Sequence, residues 1–358
     1  MTAYARLAGL PPPRPVPLSI DTLIRRVASL ETRMPIEVEG GPDLTVHADG
    51  APARATPGQA DRACIMSVAL YSNGCGPPMP YKILWFLNRK PGTGSAMHIL
   101  FTDETNRRPS DRVKFFVYGG LLFPIEHLST LSREIQTIRD EFGYRDGDVL
   151  KFDTNARPHH VPVEAATEAK RRVVQLCRDL RCKFIVCVIL HDIIKKQNPD
   201  NQVLWAANHV IGRFNLYLQQ IDDDGIVVVD KLPVNADFQY LAEKHSTGLT
   251  FEDGTTVKLD RIKLYAATCI GASHAASAMD IVLGSFRYCI NEPQNVNAAR
   301  EMMRNVVELM WHERRGDEIL AMEKGLILRP LLKNIRRYDY RQEYENLLAH
   351  INNLINEG

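Results

Sequence analysis

The chain has no run of about 18 consecutive apolar residues, the length a membrane-spanning helix requires. Its first residues, "MTAYARLAGLPPPRPVPL", hold no continuous hydrophobic stretch ahead of a small-residue cleavage site, which argues against a secretory signal. The cytoplasm is therefore the expected location. An excess of charge is also missing. Lys and Arg number 44 against 43 Asp and Glu, a net charge of +1. That balance excludes a strongly basic chain but not a local basic patch on nucleic acid. The seven cysteines (Cys64, Cys75, Cys177, Cys182, Cys187, Cys269 and Cys289) contain no Cys-x-x-Cys pair, so a zinc ribbon or a thioredoxin-type motif is not expected. Their apolar settings, as in "RCKFIVCVIL", suit buried, reduced thiols. "PGTGSA" lacks the Lys-Ser/Thr that would make it a phosphate loop. The chain has no internal repeat.

What is present falls into two compositions. Of 21 prolines, 13 precede residue 97, with runs such as "PPPRPVP" and "CGPPMP". Proline stops helices and removes backbone donors, so residues 1–96 are expected to be mostly disordered. One amphipathic helix is predicted there, in "SIDTLIRRVASLETR". "PGTGSA" reads as a flexible joint, and Met97 as a candidate translation start. From residue 97 the pattern is regular. Strands are predicted at "HILFTD", "VKFFVYGGLLF", "CKFIVCVIL", "GIVVVD" and "RIKLYAAT", and Gly119-Gly120 suggests a bulge or a close crossing. Helices are predicted at "IEHLSTLSREIQTIRDEFG", "VPVEAATEAKRRVVQLCRDL", "NQVLWAANHVIGRFNLYLQQI", "ADFQYLAEKHS" and "HAASAMDIVLGSFRYCI", and throughout the tail from about 298. Two early strands followed by alternating helices and strands indicate an α/β domain with a mixed sheet. The expected organisation is a Pro-rich segment (1–96), an α/β domain (97–295) and a helical extension (296–358).

Three acids stand where an apolar element should be apolar throughout. Asp103 closes the first strand, Asp230 closes "GIVVVD", and Asp280 sits among Met279, Ile281, Val282 and Leu283. A carboxylate at the mouth of a buried strand costs several kcal/mol unless paired, hydrogen-bonded or metal-bound. In open α/β sheets the carboxyl ends of strands form the site crevice, so two strand-end acids and one on a packed helix can converge. Clustered carboxylates ionise together only when cations neutralise them, and oxygen-only ligation favours Mg²⁺ or Mn²⁺. Two such ions about 3.5–4 Å apart activate water and stabilise a leaving oxygen. Singly, each acid has a plainer reading as a turn former, a helix cap or an exposed residue.

Residues 98–290 resemble the bacterial proteins of domain-of-unknown-function family 3800, which have a ribonuclease H-like fold. "FTDETN" followed by "FFVYGGLLF" is similar to the family's opening strand pair, and "DVLKFDT", with Lys151, to its central Leu-Lys. "IVVVD" matches a strand ending in Asp, and "AMDIVLGSFRY" the late helix. Thr105-Asn106 replace the usual Ser-Gly, and Ser277 stands where a Gln often precedes the helix Asp. The resemblance implies a carboxylate cluster of Asp103, Asp230 and Asp280, with Glu104 a fourth member. Strand alternation, however, would turn Glu104 away from Asp103. Lys151 would contact a phosphate or tune the acids; an ordinary surface lysine is the plainer reading.

Other residues weigh less. The histidines of "RPHH", His191-Asp192 in "LHD", and His274 read as loop, strand-end and turn residues. The basic clusters in "EAKRRVVQLCRDLRCK" and "RPLLKNIRRYDYR" read as solvated helix faces, with phosphate contact the alternative. The leading expectation is a ribonuclease H-like phosphodiester hydrolase that uses a divalent metal on nucleic acid. Its rival is a non-catalytic module of the same fold that binds nucleic acid or protein. Convergence of the three aspartates distinguishes the two.

Overall fold

The computed structural model describes residues 97–105, 113–194, 198–230, 246–250, 256–268, 273–291, 295–315 and 318–356, together with the backbone of Ala63–Ala69 and Pro80–Phe86. Those last two segments pair antiparallel. Within a segment expected to be mostly disordered, "ACIMSVA" and "PYKILWF" hold no interior proline and are rich in β-formers, which suits a strand pair. The helices predicted at 19–33 and 236–246, and the joint at 91–96, lie outside the described residues, apart from Ser246.

A six-stranded mixed sheet organises the rest. Its strands are β1 (Met97–Thr105), β2 (Phe115–Pro124), β3 (Lys183–Leu190), β4 (Asp224–Asp230), β5 (Ile262–Thr268) and β6 (Leu326–Arg329). They lie in the order β6-β3-β2-β1-β4-β5. β1, β2 and β3 form an antiparallel meander, while β4 and β5 add parallel to β1 and β6 adds parallel to β3. With helices on both faces, this is the mixed-sheet α/β architecture expected from the sequence.

Strand alternation divides the core in two. Ile99, Phe101, Ile226 and Val228 face one layer. It contains α1 (Leu128–Glu141), α2 (Val163–Asp179), α4 (His274–Asn291), α5 (Val296–Leu309) and α6 (Tyr338–Asn356). Leu100, Tyr118, Val227 and Val229 face the other, covered by α3 (Pro199–Ile221). Gly119 and Gly120 are a close crossing rather than a bulge, since β2 pairs in unbroken register with both neighbours. A Cβ on Gly119 would meet Leu283 Cδ1 of α4 at 2.8 Å, and one on Gly120 would meet Leu100 Cδ1 at 2.6 Å. Gly143, past the end of α1, has a φ of +79° and ends the helix as its position suggested. Cys177, Cys182, Cys187 and Cys289 are buried free thiols. Among the described residues, no helix is long and apolar enough to cross a membrane.

The tail corrects the expectation of unbroken helix. After α5 come a short antiparallel pair, Glu313–Arg315 with Glu318–Leu320, and then β6. "LILR" is four buried residues long and stands between Gly325 and Pro330. Gly325 has no room for a Cβ, with Trp311 N 2.6 Å from where it would stand. A short apolar run that can pair with the edge of β3 gains more as a strand than leucine gains from helix propensity. The extension is thus built into the sheet, and α6 locks it there. Tyr344 hydroxyl donates to the Arg329 carbonyl at 2.6 Å and accepts from the Leu190 amide at 2.8 Å.

Tyr344→Phe leaves both backbone groups unpaired in a buried site. It should lower unfolding free energy by about 1–3 kcal/mol. Urea denaturation of both proteins checks this, and a loss under about 0.5 kcal/mol would show that the hydroxyl does not carry the tie.

Candidate active site

Asp103 continues the face set by Ile99 and Phe101, and Asp230 the face set by Ile226 and Val228. Thr102 pairs with Val229 in parallel register, so the next residues along, Asp103 and Asp230, come side by side on that face. α4 packs over the same face and brings Asp280 to them. One cleft is lined by Asp103, Asp230, Asp280 and Lys151, with Thr268 at the carboxyl end of β5 beside them. Four of the five residues expected in the site therefore meet. Ser277 also lines the cleft, a small hydroxyl at the position where the resemblance would put a Gln.

Glu104 is absent from that lining. β1 continues to Thr105, so pleating puts Glu104 on the opposite face, level with Tyr118 across the ladder. Its charge still reaches the site: together with burial, Asp230 and Asp280, it raises the Asp103 carboxyl. The other candidates lie elsewhere. His191 packs edge-on against Phe116, in the α3 layer. His160 pairs with Asp148 at 3.0 Å. His274 opens α4, with Arg139 and Asp140 as charged neighbours. Arg171 and Arg172 are taken up by Glu168 and Glu141, and Arg337 by Asp339, as expected of solvated helix faces.

The electrostatics are those of crowded acids. Burial first, then the charges of Asp230, Glu104 and Asp280, push the Asp103 carboxyl up to about 8, against a partial opposing effect of the Glu104 amide. That amide donates to Asp103 Oδ1 at 2.7 Å. Burial also raises Asp280, while the Phe152 amide, Lys151 and Arg287 draw it back. The amide donates to Asp280 Oδ2 at 2.7 Å.

Sequence reasoning stopped at Lys151 and missed its neighbour. Phe152 rests on α4 at Gly284, one turn beyond Asp280, where a Cβ would stand 2.3 Å from Phe152 Cγ. The glycine is a slot for the ring, and the ring sets the amide on the carboxylate. The signal in the sequence was the Asp280-x₃-Gly284 spacing, which puts both residues on one face of the helix.

The donor set is all carboxylate oxygen, which suits a hard divalent cation. The raised Asp103 carboxyl reflects its burial and the negative charge of Asp230, Glu104 and Asp280 around it. The residues therefore fit Mg²⁺ or Mn²⁺ in their chemistry. Among the described residues, however, no three His, Cys, Asp or Glu side chains stand grouped to hold a metal ion.

The sheet and cleft define an α/β protein with a six-stranded mixed sheet and a carboxylate cleft at its parallel-strand ends. No family model matches the chain, and no curated protein does. Among solved structures it is similar to Bst-RNase HIII in complex with Mn²⁺, at 11% identity and a TM-score of 0.31. It is similar also to a glutamine-to-alanine variant of Bst-RNase HIII, at 10% identity and the same TM-score. Both matches cover 60% of this chain and 62% of the other, so the chain spans less than two thirds of their length. The fold assignment rests on strand order and direction.

Two outcomes follow from this geometry. A carboxyl raised from 3.8 to about 8 holds its proton in the folded state where the unfolded chain has lost it. Stability from this group therefore falls as pH rises between about 4 and 8, and is level above that. Asp103→Asn mimics the protonated form and keeps an acceptor for the Glu104 amide. With EDTA present, its melting temperature should exceed that of wild type by a margin that widens from pH 5 to pH 8. A constant margin would mean that Asp103 is already ionised at pH 5. Gly284→Ala, in turn, drives a methyl into Phe152 and should cost about 1–3 kcal/mol. Urea denaturation reads this, and a neutral result would show that the Phe152 ring is not seated on the helix.

Proposed function

We propose that this protein is a divalent-metal-dependent phosphodiester hydrolase acting on nucleic acid. The observation that carries the reading is the meeting of Asp103, Asp230, Asp280 and Lys151 in one cleft, with the Asp103 carboxyl raised by its acidic neighbours. Asp103 and Asp230 would hold metal jointly, and Asp280 would complete the coordination or position the attacking water. A divalent cation held there would supply the Lewis acidity that activates a water and neutralises a leaving oxygen. The chain's own residues do the rest. The Phe152 amide fixes one oxygen of Asp280, leaving the other available as a ligand. Lys151, which lines the cleft and whose charge bears on Asp280, would meet a phosphate oxygen. Glu104 would act from the far face, through its charge and through its amide on Asp103. Membership of domain-of-unknown-function family 3800 belongs with this proposal, since "FTDETN", "IVVVD" and "AMDIVLG" are the segments that converge.

A second reading, a non-catalytic module binding nucleic acid or protein, is favoured by the lack of a metal-ready group among the described residues. Assays on mixed single- and double-stranded DNA and RNA, with Mg²⁺, Mn²⁺ or EDTA, separate the two. Hydrolysis is expected with metal and abolished by EDTA, and Asp103→Asn, Asp230→Asn and Asp280→Asn should each lower it by about 100-fold or more. Retained binding with no cleavage under any metal would favour the second reading.

Mn²⁺ should also raise the wild-type melting temperature, because a ligand of the folded state stabilises it by mass action. Asp280→Asn removes like-charge repulsion at little change of volume. Without metal it should melt at or above the wild-type temperature, while losing the Mn²⁺ response. A destabilised variant that still responds would remove Asp280 from the site.

A further inference from the structure

Phe152 is held more firmly than its packing requires. It is half-buried, and it belongs to neither of the two core clusters. Yet every part of it is engaged. The ring occupies the Gly284 slot, and the amide donates to Asp280. The carbonyl accepts from Lys170 Nζ at 3.1 Å. The same ammonium lies 5.3 Å from the centre of the Phe152 ring, and the Arg287 guanidinium carbon lies 5.7 Å from it. Lys170 comes from α2 and Arg287 from α4, so two helices close on one loop residue. Cation–ring contacts of this kind are stronger where the groups are partly desolvated, as here.

We propose that Lys170 is a positioning residue of the carboxylate site. It fixes Phe152 so that the amide orients Asp280 for a divalent cation and Lys151 is delivered to the cleft. The inference rests on the metal-site reading given above. A lysine near acids has another ordinary role, plain neutralisation of their charge, and the two roles differ in sign. A neutralising cation competes with a metal, so its removal would tighten metal binding. Loss of a positioning contact loosens it, typically by 10–100-fold for groups that orient a ligand.

The test is Mn²⁺ affinity by isothermal titration calorimetry on the full chain, with melts in EDTA to establish that each protein is folded at the titration temperature. Lys170→Met should bind Mn²⁺ about tenfold more weakly than wild type. Lys170→Arg, which keeps a donor and a ring-stacking cation, should stay within about threefold. Gly284→Ala reaches the same residue from the other side without touching a charge, and should weaken binding similarly. Unchanged or tighter binding by Lys170→Met overturns the proposal. So does equal weakening in Lys170→Met and Lys170→Arg, which would trace the loss to helix packing. Wild type that fails to bind Mn²⁺ overturns the metal-site reading, and this inference falls with it. Wild type that binds, with Lys170→Met indistinguishable from it, overturns this inference alone.

Discussion

The contact on which the site depends is the close approach of α4 to the central strands. Leu283 Cδ1 lies where a side chain on Gly119 would have to be, and Gly119 stands directly across the ladder from Asp103. A helix seated at that depth carries Asp280 to the level of the two strand-end acids. It also buries Met279, Val282, Leu283 and Phe286 in the larger core. The apolar burial that holds α4 down is thus what brings the three acidic side chains together. The hydrophobic contribution, about 25 cal/mol per Å² of apolar surface, offsets the repulsion that the carboxylates impose.

The far end of α4 is pinned as well. The Asn291 side chain accepts from the Phe115 amide at 3.0 Å and donates to the Phe115 carbonyl at 3.1 Å. One polar side chain pairs with both backbone groups at the start of β2. Between Gly119 and Asn291 the helix has little freedom to slide. The geometry at Asp280 is therefore set by fixed elements, as a site that must orient ligands needs.

Much of this was legible because burial leaves a pattern along the chain. β1 to β5 and helices α1 to α4 follow apolar periods long enough to define them, and an acid inside an apolar period, as at Asp280, is conspicuous. Glu104 shows the rule in reverse: a period of two predicted its outward face, and the strand continues far enough for that to hold. What the sequence hid were contacts between distant segments. Phe152 on Gly284, and Lys170 on Phe152, join parts of the chain that no local period relates. β6 was hidden for a different reason. Four apolar residues serve equally as a helix turn or a strand, and only the vacant edge of β3 decides between them.

That edge has a consequence for how the chain meets other chains. A strand with one side unpaired presents a row of amides and carbonyls to any extended segment it meets. In β3 that edge is covered by β6, which lies far downstream in the chain, and Tyr344 of α6 ties the two together. Without β6 the folded sheet would end at β3 in an open, strongly apolar edge. The last quarter of the sequence therefore completes the sheet and withdraws from other chains a surface on which they could assemble.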